Sequence, residues 1–121
     1  MIDNMAKVYA LLAPIGVTYS CPVLDSYPNS ITAFPCITFM DVDHSDGNYA
    51  DGKASADLVQ IKVDIWERPD PLTGVTSSPH VAVDLAFGAD GNWYDAGFQH
   101  LIEPDTGVHH YVQTYGIVES Q

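Results

Sequence analysis

Positive charge is what this sequence has least of. Only Lys7, Lys53, Lys62 and Arg68 carry it, against sixteen Asp or Glu, for a formal net charge of −12 over 121 residues. Holding a phosphate backbone takes a stripe of Lys and Arg, and four scattered cations cannot form one, so nucleic-acid binding and attachment to anionic membranes are disfavoured. Apolar runs are also short. None approaches the roughly 18 residues of a membrane-spanning helix, and the first residues, with Asp3, Asn4 and Lys7, do not resemble a signal peptide. The expected compartment is the cytosol. The two cysteines, Cys21 and Cys36, lack the CxxC spacing of zinc and redox sites, and their apolar surroundings favour buried free thiols on strands over a disulfide.

The motifs of common chemistries are missing as well. There is no GxSxG elbow, no Cys with a His signature, no GxxxxGK[ST] and no GxGxxG. The segment DVDHSDG places Asp41, Asp43, Ser45 and Asp46 like the start of a calcium loop. The glycine required at its sixth position is displaced to Gly47, however, and the twelfth position, which should offer a bidentate Glu, is Gly52, so a solvated acidic strand end and turn is the better reading. His109 and His110 are adjacent and would point to opposite faces of a strand, so they cannot share one ion there. His100 is expected to approach one of them across a hairpin. Neither a catalytic site nor a cofactor is expected.

What is present is a globular pattern. Hydrophobic residues make up 46% of the chain, and this length buries about two-thirds of its unfolded surface, enough for one domain to fold alone. Ile2, Met5, Val8, Tyr9 and Leu12 recur at helical spacing, predicting a helix over 2–12 that Pro14 and Gly16 stop. VTYSCPVLDSYPNS reads as a short edge strand and loop. ITAFPCITFMDV and LVQIKVDIW read as strands, the second with Val59, Ile61, Val63 and Ile65 on one face and Gln60, Lys62, Asp64 and Trp66 on the other. The Gly/Asp/Ser-rich stretch between them is too long for a tight turn and reads as a long hairpin arm or a loop. Ser77 or Ser78 can cap a second helix, with Pro79 in its first turn and Val81, Ala82, Leu85 and Ala86 as its stripe. FQHLIE and VHHYVQTYGIV pair across EPDTG as a terminal hairpin. The fold class expected is α+β, an antiparallel or mixed sheet packed against two helices. Trp66 lies in the polar register, while Trp93 and Tyr94 follow the second helix; either a second layer covers these aromatics or they are exposed anchors at a protein interface.

The pairing of FPCITF with LVQIKVDIWER through a Gly/Asp-rich connection resembles the tail-completion, or tail-to-head joining, proteins of long-tailed bacteriophages, related in fold to tail terminators. The likeness covers most of the chain, about residues 1–118, in the order of its elements. It implies a non-enzymatic virion protein, assembled in the host cytoplasm, that forms a homohexameric ring. Such a ring caps the tail-tube protein and joins it to a head-completion protein. The resemblance makes His44, Asn48, Tyr49 and Lys53 of the arm, with Trp66, Trp93 and Tyr94, the candidate assembly contacts. It makes Asp41, Asp43, Asp46 and Asp51 candidates for lining a channel through which DNA passes without specific binding. Two alternatives stand beside it: another head-completion or minor tail protein, and, from a different class, a small metal-dependent enzyme built on His100, His109 and His110.

Overall fold

The computed structural model describes residues 4–24, 34–50, 53–70, 72–73 and 77–120; within these, residues 4, 42–50, 53–58 and 118–120 are described by their backbone alone. The elements run α1 (Asn4–Tyr19), β1 (Val23–Leu24), β2 (Cys36–Ala50), β3 (Lys53–Glu67), α2 (Pro79–Asp90), β4 (Tyr94–Ile102) and β5 (His109–Ser120). They form one mixed five-stranded sheet in the order β1-β2-β3-β5-β4, in which β1 alone pairs in parallel and the other neighbours are antiparallel. This is the expected α+β arrangement.

The alternation of β3 explains where the core sits. Val59, Ile61, Val63 and Ile65 are all fully buried, and each contributes about 1.5–3 kcal/mol by leaving water. Register places Ile37 and Phe39 of β2 and Tyr111 and Tyr115 of β5 beside them on the same face. Both helices close over that face, with Val8, Leu12 and Ile15 of α1 and Val83 and Phe87 of α2 in the same cluster.

Two local expectations are corrected. First, α1 does not stop at Pro14 but continues to Tyr19. Proline removes one backbone donor and crowds the preceding turn, yet the extra turn buries Ile15. The helix ends in a Schellman arrangement: Ser20 takes φ 53°, Cys21 N–H donates to the Gly16 carbonyl at 2.9 Å, and Ser20 N–H donates to the Val17 carbonyl at 3.4 Å. Gly16 is needed there for space. A Cβ on it would lie 2.8 Å from Val23 Cγ2 and 2.9 Å from the Cys21 carbonyl oxygen. Gly16→Ala is therefore expected to lower stability by about 1–3 kcal/mol despite alanine's better helix propensity. Chemical denaturation checks it, and a gain in stability would show that the turn relaxes freely.

Second, the stripe of α2 is rotated from the one expected. Pro79, Val83 and Phe87 are buried, Ala82 and Ala86 are half-buried, and Val81 and Leu85 are exposed. The segment offers two overlapping apolar stripes. The larger burial of Phe87, stacked on Tyr115 at 4.0 Å and edge-on to Trp93 at 5.2 Å, decides between them. The stretch between the two central strands, expected as a long hairpin arm or a loop, is largely strand backbone: β2 and β3 pair from Cys36 opposite Trp66 to Ala50 opposite Lys53, and β5 accompanies β3 as far as Ala56 opposite Ser120. The DVDHSDG segment is thus strand backbone with bulges near Asp41/Asp43 and Asp46/Asn48, not a calcium-type loop.

Cys21 and Cys36 are free and buried, as expected, although Cys21 precedes β1 and only Cys36 lies on a strand. Burial and the neighbouring Cys36 push the Cys21 thiol up to about 11, and burial also raises Cys36, which keeps both as unreactive thiols. No helix among the described residues is long and apolar enough to cross a membrane.

Candidate functional site

The edge of the sheet at β4 collects most of what the sequence marks as chemically interesting. The terminal hairpin closes through Gly107 N–H to the Glu103 carbonyl and Glu103 N–H to the Val108 carbonyl. Its ladder sets His100 opposite Tyr111 and Ile102 opposite His109. His100, Ile102 and Phe98 therefore share the face on which the helices pack, while Leu101 and Gln99 share the other with His110 and Val112. The helices do not extend over β4. Tyr94, Phe98, Leu101 and Ile102 remain 43%, 61%, 44% and 57% exposed, and β4 ends the sheet among the described residues.

Four aromatic rings run along the helix-facing side. His80, the second residue of α2, stacks on Tyr111 at 3.6 Å; His100 stacks on Tyr111 at 4.2 Å; His109 lies 5.0 Å from His100. The expected approach of His100 to its hairpin partner is met, with His100 Nε2 lying 2.9 Å from His109 Nδ1. His100 is held below its ordinary value, first by burial and then by the charges of His109 and His80, with Glu67 acting in the opposite direction.

His110 points to the other face, as adjacency requires. Its Nε2 lies 2.9 Å from Asp64 Oδ2, and its ring stacks on Trp66 at 4.4 Å. Lys62 Nζ lies 3.8 Å from the same carboxylate oxygen. Asp64 is only 1% exposed, and these contacts keep it from being a charge buried without partners. Trp66 is corrected as an assembly contact: it is buried in a small cluster with Cys36, Val108 and Phe34. Neighbouring side chains, Cys36 of the paired strand with Phe34 and Val108, cover the polar register at this end of β3.

Glu67 is a buried capping carboxylate that no sequence motif singles out. It closes β3, is 1% exposed, accepts a hydrogen bond from His80 N–H at 3.0 Å and lies 2.6 Å from His80 Nδ1. Ser78 occupies the N-cap position of α2 as expected, but in a left-handed conformation (φ 59°) and without a side-chain cap bond. Glu67 supplies that cap from the sheet, where a carboxylate also meets the positive end of the helix dipole. An acidic residue at a strand end, followed by a Pro-bounded helix start, was the available signal.

Trp93 is half-buried and lines an open-sided cleft of about 270 Å³ between α2 and the start of β4, together with Asp84, Phe87, Gly88, Asp95 and Tyr115. Tyr94 beside it is exposed and lies over Gly116, where a Cβ would come 2.2 Å from the Tyr94 ring. Tyr115 donates to Asp84 Oδ1 at 3.0 Å. Burial first, then that hydrogen bond and the Asp84 and Asp95 charges, hold its phenol far above the ordinary range. The folded state therefore favours protonated Tyr115, and its contribution to stability is present below about pH 10, the unfolded value, and declines above it. Alkaline ultraviolet titration should show Tyr115 ionising only as the chain unfolds; reversible ionisation of all seven tyrosines in the native state would contradict this.

Of the other residues singled out in the sequence, Asp41 is exposed on β2. The side chains of His44, Asn48, Tyr49, Lys53, Asp43 and Asp46, and the whole of Asp51, lie outside the described residues. No group of three or more His, Cys, Asp or Glu side chains among the described residues could hold a metal ion. No protein-family model matches the chain, and no curated protein matches it in sequence.

Proposed function

We propose that this chain is a structural assembly protein that works by ring formation and docking, in the manner of the phage tail-completion proteins it resembles, and is not an enzyme. The observation that supports this best is β4. It is an edge strand nine residues long, with apolar side chains exposed on both faces and no strand paired to its outer side among the described residues. Protein folds normally blunt such edges with charge, proline or a covering element, because unpaired N–H and C=O groups beside apolar side chains recruit another chain. The exposed Val81 and Leu85 on α2 add a second apolar surface.

In this reading a neighbouring subunit covers β4 and the exposed side of α2, and Tyr94 and the Trp93 cleft contribute to that contact. The end of the β2–β3 hairpin, with His44, Asn48, Tyr49 and Lys53, reaches an adjoining subunit or the tail tube. The acidic residues Asp41, Asp43, Asp46 and Asp51 face the channel, where negative charge keeps passing DNA from sticking. The site of action is then the head–tail junction of a virion.

Native mass measurement and negative-stain electron microscopy of the purified full chain test the reading. A closed ring of identical subunits, hexameric by the resemblance, is the expected result. Monomers at every concentration, also when tail tubes are added, would overturn it.

A further inference from the structure

Of the four described histidines that take part in ring stacking, two have carboxylate partners, His80 with Glu67 and His110 with Asp64. The other two, His100 and His109, present ring nitrogens to each other at the exposed edge of the sheet. We propose that His100 and His109 form a two-histidine binding position for a divalent transition-metal ion of the copper(II) or nickel(II) class, with water completing the coordination.

The geometry carries the assignment. His100 Nε2 and His109 Nδ1 are 2.9 Å apart. With metal–nitrogen bonds of about 2.0–2.1 Å, that separation subtends an angle of about 90° at the ion, the angle between adjacent positions of a tetragonal or octahedral centre. A tetrahedral zinc site with the same bonds asks for about 3.3 Å, so the pair favours copper or nickel over zinc. The two residues are diagonal neighbours on paired strands, His100 standing opposite Tyr111 and His109 opposite Ile102. The β4–β5 ladder therefore holds the donor spacing in advance, and stacking of both rings with Tyr111 limits their rotation. His100 is exposed and His109 half-buried, which leaves the remaining positions open to water on the His100 side.

Charge and protons fit as well. Metal ligation needs neutral imidazole, and burial first, then the neighbouring His109 and His80, hold His100 below its ordinary value. His80 faces the pair across Tyr111, and Glu67 lies beyond it as the nearby anion. In the metal-free neutral pair one of the two facing nitrogens carries a hydrogen. On binding, that proton passes to the far nitrogen of the same ring, so two nitrogen–metal bonds replace one hydrogen bond and no proton is released.

The test is calorimetric titration of copper(II), nickel(II), zinc(II) and magnesium into the chelator-treated full chain, repeated with His100→Gln, His109→Gln and, as a control, a change at the exposed Asp105, Asp105→Asn. About one copper ion should bind per chain, nickel and zinc more weakly and magnesium not at all. Each of the first two variants should weaken copper binding by about tenfold or more and remove the metal-dependent rise in melting temperature. The control should do neither. Electron paramagnetic resonance of the copper complex should report two nitrogen ligands. Both rings are at the surface, so circular dichroism should find the variants folded. Absence of saturable binding, or retention of wild-type affinity in His100→Gln and His109→Gln, would overturn the assignment. His100 stands on β4, the strand the ring reading covers, so the titration uses chain that sedimentation shows to be monomeric, and its outcome is read separately from ring assembly.

Discussion

Replacing Glu67 by alanine should cost the protein about 3 kcal/mol of stability, from the loss of two hydrogen bonds to a buried carboxylate at about 1.5–3 kcal/mol each. The residue is 1% exposed, so water does not take over its role. Its loss strands the His80 N–H at the start of α2, removes a 2.6 Å contact with the His80 ring, and leaves a small void at the end of β3. An unsatisfied buried donor alone costs about 1–3 kcal/mol. For a chain of this size the expected fall in melting temperature is about 10–15 °C, with the urea midpoint lowered at unchanged slope. Glu67→Gln keeps the volume and one acceptor and should recover about half the loss. A change below about 1 kcal/mol in both variants would mean that α2 does not depend on this cap.

The second large effect concerns β4. Phe98→Glu and Leu101→Glu place a carboxylate on opposite faces of the strand, at positions 61% and 44% exposed. Because both side chains already meet water, each change should alter monomer stability by roughly 0.5 kcal/mol or less. Self-association should weaken by about a hundredfold or more in each. A desolvated carboxylate would sit at the subunit contact, and it would add to the −12 already carried by every copy. Sedimentation velocity across a concentration series reads the result. Rings that persist in both variants would place the subunit contact away from β4, and unfolded variants would mean that β4 is integral to the monomer's stability.

These two residues differ in how visible they are in the sequence. Phe98 stands in a segment whose alternation, turn signal and terminal position mark a hairpin, and the hairpin is there. What the sequence cannot supply is the strand order, which leaves β4 at the outside of the sheet with no helix over it. Glu67 is harder still. Its partner is thirteen residues away across a Pro- and Gly-containing connection, and no periodic signal links a strand end to a helix start. The two candidate stripes of α2 show the same limit on a smaller scale: both satisfy helical spacing, and only the room available beneath Phe87 selects one.

The scarcity of positive charge belongs to the sequence alone. So do the fully buried face of β3, a helix start at Ser77 or Ser78 with Pro79 in its first turn, the free state of the two thiols, and the divergence of His109 from His110. Each follows from local periodicity, backbone stereochemistry or composition. Tertiary structure decided the rest. It carried α1 past Pro14, buried Trp66 among Cys36, Phe34 and Val108, and capped α2 with Glu67. Those outcomes depend on which elements become neighbours in the sheet, and the energy that chooses the neighbours is the burial of side chains far apart in sequence.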